Sequence, residues 1–223
     1  MRSKFILKSI VVTSILLVVL IYFKYRAPAF PLGLQALECL VSVIVLAATI
    51  LFLWRIKLKW LNNIQNRNIG LGLCFGLLWS IEIGINNIFR PGLPLRDIVD
   101  NIFWASIAIL ILVTTTYYSL KTKKISQGII SGFWSGLSSG AVACITALIL
   151  IVFGMNLILH DPLNIKEWSD VNANTNLPNM PVYFAFETLA GAIMHLVVLG
   201  AVMGIILGLI GGFIGKALSI LIK

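Results

Sequence analysis

Six apolar runs alternate with short polar connections along the chain, at about 5–23, 33–54, 69–89, 98–119, 127–157 and 182–215. Each is long enough to carry a helix across about 30 Å of hydrocarbon, which takes roughly 20 residues. None of the connections is long enough for a separate folded domain. The pattern therefore predicts a single all-α membrane domain over 1–223, with six transmembrane helices in three hairpins. The largest connection, 160–181, opens with Asp161 before Pro162, an N-cap followed by a first helical residue, and predicts a short interfacial helix around Asn164 to Trp168. Beyond it, N172-A-N-T-N-L-P-N-M-P181 reads as a mobile, turn-rich stretch. Runs five and six are longer than a perpendicular span needs, so they must tilt, kink or emerge, and Gly211-Gly212 is the expected bend.

Composition agrees with a bilayer. The chain is 59% hydrophobic and 11% charged, against about 25% charged residues in soluble domains. Its basic residues set the expected orientation, because cytoplasmic segments beside helix ends retain Lys and Arg. With the N-terminus inside, Arg2, Lys4, Lys8, Arg55, Lys57 and Lys59 fall on the inner side, as do Arg67, Lys121, Lys123, Lys124, Lys216 and Lys223. All eight acids fall in outer loops or the outer halves of helices. Both termini are then cytoplasmic, and a net charge of +9 needs no nucleic-acid partner. The expected partner is the lipid bilayer, with a homo-oligomer or a membrane partner subunit as further options. Lys24 and Arg26 directly after the first run, with prolines at the would-be cleavage point, favour a retained anchor over a removed signal. Cys39, Cys74 and Cys144 are scattered through the spans and make neither a disulfide framework nor a metal-ligand pair.

Two glycine series carry a second signal. Gly128, Gly132, Gly136 and Gly140 recur every four residues in run five, and Gly200, Gly204, Gly208 and Gly212 do so in run six. Small residues at that spacing let helix backbones approach closely where lipid supplies no hydrophobic drive for association. The simplest arrangement packs one stripe on the other, with Gly72 and Gly76 of run three at the same level.

The sharpest anomaly is W79-S-I-E-I-G-I-N-N-I-F-R90, which places Glu82, Asn86 and Asn87 inside run three. Glu82 lies about 20 Å above the inner end of its helix at 1.5 Å per residue. An acid within a span usually faces the bundle interior and marks a pathway. Glu38, Asp100 and Glu187 reach a similar outer layer, but each sits near the start of a helix, where the dipole favours a carboxylate by about 0.3–1 kcal/mol. Glu82 occupies a C-terminal half, where the dipole disfavours it. Asn86 follows one turn later on the same face, and Arg90, Arg26 and Arg96 are candidate partners for the carboxylate. The pathway candidates are therefore Glu82, Asn86, Glu38, Glu187, Asp100 and His195.

Enzymatic constellations are weak. G136-L-S-S-G140 matches G-x-S-x-G, but that elbow needs a strand, a turn and a helix, whereas these glycines lie inside a continuous span. Six spans with a serine and a histidine on different helices resemble rhomboid intramembrane proteases, which would pair Ser138 with His195. The G-x-S-G of that family is absent, since residues 136–139 read G-L-S-S. No Gly-rich phosphate loop followed by Lys and Ser or Thr occurs, so ATP dependence would rest with a partner. No metal-ligand spacing, cofactor motif or catalytic set stands out, and a non-enzymatic protein is expected. In size and helix count the chain resembles the substrate-binding components of energy-coupling-factor transporters. The reading is a plasma (inner) membrane carrier, channel or permease-like subunit, whose acidic outer vestibule takes a cation, proton or polar solute. The alternative is a scaffold or accessory subunit that docks through its glycine faces.

Overall fold

A computed structural model describes residues 2–26, 33–55, 63–172 and 179–221. Lys57, Lys59 and Lys223 lie outside these residues, as do 173–178 of the stretch read as mobile. Among the described residues the protein is helical, without strands: α1 (Arg2–Tyr25), α2 (Gly33–Arg55), α3 (Asn63–Gly84), α4 (Leu93–Thr122), α5 (Ile125–Phe153), α6 (Met155–Leu159), α7 (Pro162–Asn172), α8 (Met180–Met194) and α9 (Met203–Leu221). Wide π-type turns extend α3 over Ile85–Phe89 and join α8 to α9 over His195–Val202. Among the described residues, six helices are long and apolar enough to cross a membrane: Ser3–Tyr25, Ala36–Arg55, Ile64–Phe89, Leu93–Thr122, Ile125–Phe153 and Met180–Leu221.

Several ends differ from the sequence expectation. The fourth helix starts at Leu93 rather than near 98, because Pro94 sits in its first turn, where a missing N–H costs nothing. The fifth ends at Phe153, where the Gly154 N–H closes the last turn onto Leu150 O at 2.7 Å. The last helix does not break at Gly211-Gly212. Gly211 packs on Thr115 of α4 and Gly212 on Ile125 of α5, so both serve close contact, and the irregularity falls instead at His195–Val202.

Helix α5 is the axis of the bundle, packed by α1, α3, α4, α8 and α9. Its apolar residues are buried most completely, together with Ser131, Ser135, Ser138 and Ser139. On one face Gly128, Gly132, Gly136 and Gly140 lie against the backbone of Gly212, Gly208, Gly204 and Gly200. On another, Gly72 and Gly76 of α3 rest on Ser135 and Val142. Ser119 of α4 donates to Gly212 O at 2.7 Å, which ties α4 into the same close contact. Helix α2 packs mainly on α1 and α8 at the edge.

One end of the bundle is laced by polar contacts that fix the site. Lys24 Nζ and Tyr25 Oη donate to the Val152 and Ile151 carbonyls at 2.7 and 3.0 Å, clasping α1 to the end of α5. Asp161 caps α7 through Leu163 N at 3.0 Å, and its other oxygen takes Arg96 Nη1 at 2.8 Å. Asn179 caps α8 through Val182 N at 3.0 Å. Tyr183 Oη donates to Glu167 Oε1 at 2.7 Å, joining α8 to α7.

Candidate functional site

Between these laced elements lies a cavity of about 310 Å³. Helix α3 contributes Glu82 and Asn86, which are 7% and 6% exposed. A polar pair this deep is stable only if hydrogen-bonded. Asn86 Nδ2 donates to Glu82 Oε1 at 2.9 Å and to Asp100 Oδ1 at 2.7 Å, so one amide bridges two carboxyl groups from two helices. The bridge forms where α3 opens into its wide turn, a deviation frequently found at functional sites. Asn87 bonds back to Ile83 O at 2.8 Å, and Arg90 ends the turn in the left-handed region at φ 49°.

Asp100 also lies deeper than expected. With α4 starting at Leu93 and α8 at Met180, both Asp100 and Glu187 are two turns inside their helices, beyond reach of the favourable N-terminal dipole. Glu187 lines the opposite wall, beside Glu167 of α7. Glu167 was not anticipated as a wall residue. Its signal was the spacing of Asn164 and Glu167, which share one face of a short helix and both line the cavity. Glu38 stays outside: it is exposed and does not line the cavity, because α2 packs at the edge of the bundle.

The arginines divide the expected role differently. Glu82 is not part of the Arg96–Asp161 salt bridge, which engages the guanidinium nearest to it. Arg96 Nη2 also reaches the Asn86 carbonyl at 3.5 Å, whereas Arg90 turns to the His160 carbonyl at 3.2 Å. Arg96 is thus a brace between α4 and the α7 cap, and four wall carboxyl groups (Glu82, Asp100, Glu167, Glu187) face one guanidinium that is already paired.

His195 lines the inner part of the same cavity. Its Nδ1 is 2.8 Å from Gly191 O, and its ring meets Trp79 edge-on at 5.0 Å, with Trp104 beyond at 5.3 Å from Trp79. Ser138 is elsewhere. Fully buried, it donates to Trp134 O within its own helix, and it does not line the cavity. Among the described residues, no group of three or more His, Cys, Asp or Glu side chains is arranged to hold a metal ion.

The chemistry available is that of a buried acceptor-rich pocket, able to hold and orient a cationic or hydrogen-bond-donating guest. Comparison with protein-family models, with curated proteins and with solved structures finds no match for this chain.

Proposed function

We propose that the chain is a small membrane carrier or channel-like subunit, non-enzymatic, whose acidic cavity accepts a cation or a polar solute from the outer side of a plasma (inner) membrane. The observation that carries the reading is the buried Glu82–Asn86–Asp100 bridge opening on a cavity with two further carboxyl groups. Ionisable groups within a span are costly to keep, and they commonly mark a transport path. The orientation has both termini cytoplasmic, from the concentration of Lys and Arg at the end opposite the cavity.

In this reading Glu82 and Asp100 attract the guest and Asn86 holds them in register. The Arg96–Asp161 bridge keeps the α3–α4 turn and the α7 cap at a fixed opening. The wide turns at Ile85–Phe89 and His195–Val202 flank the cavity, where altered hydrogen bonding lets a helix adjust without breaking. Docking a partner through the glycine faces has less support, since both stripes are occupied by each other.

The test is flux in proteoliposomes containing wild type or Glu82→Gln, with monovalent cations, protons and small organic cations as tracers. Flux lost in Glu82→Gln, with folded protein still in the membrane, is the expected result. Flux equal to wild type would sink the proposal.

A further inference from the structure

We infer that the guest is an organic diamine, seated with one ammonium on each of two carboxyl pairs. The inference rests on the carrier reading above and names its substrate class.

The first argument is an imbalance of donors and acceptors. Asn86 Nδ2 is engaged by Glu82 and Asp100, Asn87 Nδ2 by Ile83 O, and Asn164 Nδ2 by Ile158 O. Arg96 is engaged by Asp161. The carbonyl opposite His195 Nδ1 only accepts, so in a neutral ring the proton sits on Nδ1 and Nε2 is a bare acceptor. What the wall has left is mostly acceptors, the carboxyl oxygens and the buried Asn86 Oδ1, which has no hydrogen-bond partner, against the second amide N–H of Asn87 and of Asn164, the remaining N–H of Arg96 and the Trp104 indole. Thr188 is the one wall hydroxyl able to act either way. A buried acceptor without a donor is destabilising, and an anionic or acceptor-rich guest would add to that cost. An ammonium group supplies three donors and the opposite charge.

The second argument is the layout of the wall. One carboxyl pair, Glu82 with Asp100, is held by α3 and α4; the other, Glu167 with Glu187, by α7 and α8. The main neighbours of α8 are α1, α2, α5 and α6, so the two pairs lie on walls that do not pack directly on each other. The same cavity is also lined by apolar Ala147, Leu150, Ile158 and Phe184. Two acidic pairs on separate walls of a partly apolar cavity complement an ammonium at each end of a methylene chain. The carboxyl groups are spread along the wall rather than converged, which is the wrong geometry for one divalent ion. The volume, about 310 Å³, falls within the range of small-molecule sites rather than single-ion sites.

The test is calorimetric binding to the full chain in nanodiscs, with 1,4-diaminobutane, butylamine, butyrate, sodium and magnesium as probes. The diamine should bind at least tenfold tighter than butylamine, and butyrate should not bind. Glu82→Gln and Glu187→Gln, on opposite walls, should each bring the diamine down to the monoamine's affinity; Glu187 is exposed enough that its variant tests binding without burdening folding. Equal affinity for the two amines, or magnesium binding tighter than the diamine, overturns the inference. If no amine binds while Glu82-dependent flux of sodium or protons persists, the diamine assignment fails and the carrier reading stands. If Glu82-dependent flux is absent for every tracer, both fail.

Discussion

Alanine at Gly132 and alanine at Gly84 should have opposite effects on stability, and the difference measures how tightly α5 and α9 are joined. A Cβ added at Gly132 would lie 2.7 Å from Gly208 Cα and 2.9 Å from Gly208 N. Carbon atoms rest at about 3.5–4.0 Å, so the helices must part by about 1 Å. The atoms in the way are backbone, so no side chain can rotate to make room. Overpacking of this kind costs roughly 1–3 kcal/mol. At Gly84, whose φ and ψ of −63° and −46° are helical, a Cβ meets nothing within 4 Å. Replacing a helical glycine there contributes about 0.5–1 kcal/mol of stability. The intrinsic gain is common to both variants and cancels in their difference, which leaves the overpacking cost of about 1–3 kcal/mol. Reversible unfolding in mixed micelles, titrated with a denaturing detergent, reads the difference directly. A Gly132→Ala protein as stable as Gly84→Ala would refute close backbone contact along the stripe.

Two further expectations concern the cavity end. Arg96→Ala leaves Asp161, 1% exposed, with a buried carboxylate whose ion partner is gone. Removing one member of a fully buried pair costs about 3–5 kcal/mol. Because Arg96 is itself 18% exposed, about 2–3 kcal/mol is expected in the same unfolding assay. Asp161→Asn, which keeps an oxygen for the Leu163 cap, should cost less than Arg96→Ala; the reverse order would remove the brace from the account. For orientation, cysteines introduced at Lys123 and Lys166 in a background lacking the native cysteines should react with an impermeant maleimide from opposite sides of intact cells, Lys166→Cys from outside. Labelling of both from one side would refute the hairpin arrangement.

The six spans were legible because apolar length is a one-dimensional property, and Glu82 with Asn86 was legible because a one-turn spacing puts both on one face. The start of α4 was not. Leu93 to Arg96 contains a proline and reads as a turn, yet proline fits a first helical turn. That shift moved Asp100 two turns into the helix and onto Asn86, a contact between helices that no local pattern encodes. Glu167 was hidden for a related reason: it belongs to a connecting segment, and its place in the wall follows from the Asp161 cap and the Tyr183 bond. Glu38 looked equivalent to Glu187 by depth alone, but the edge position of α2 turns it away from the cavity. The Gly211-Gly212 pair reads as a weak point in isolation; in the bundle its missing side chains are filled by Thr115 and Ile125.

The wide turn at His195–Val202 gives the last helix two phases. Up to its first residue, Glu187 and His195 address the cavity; after it, Gly204, Gly208 and Gly212 address α5. A π-type turn holds surplus residues relative to an α-helix, so it works as a phase shifter between the two faces. Deleting one residue there, such as Val198, would remove the surplus with little change of phase, but closing the turn into a regular α-helix at its full length would rotate everything downstream by about 100°. The carboxyl wall would keep its place, while the glycine stripe would swing off α5. The widened winding at this one position, more than the identity of any side chain in it, is what lets a single helix serve both the cavity and the core.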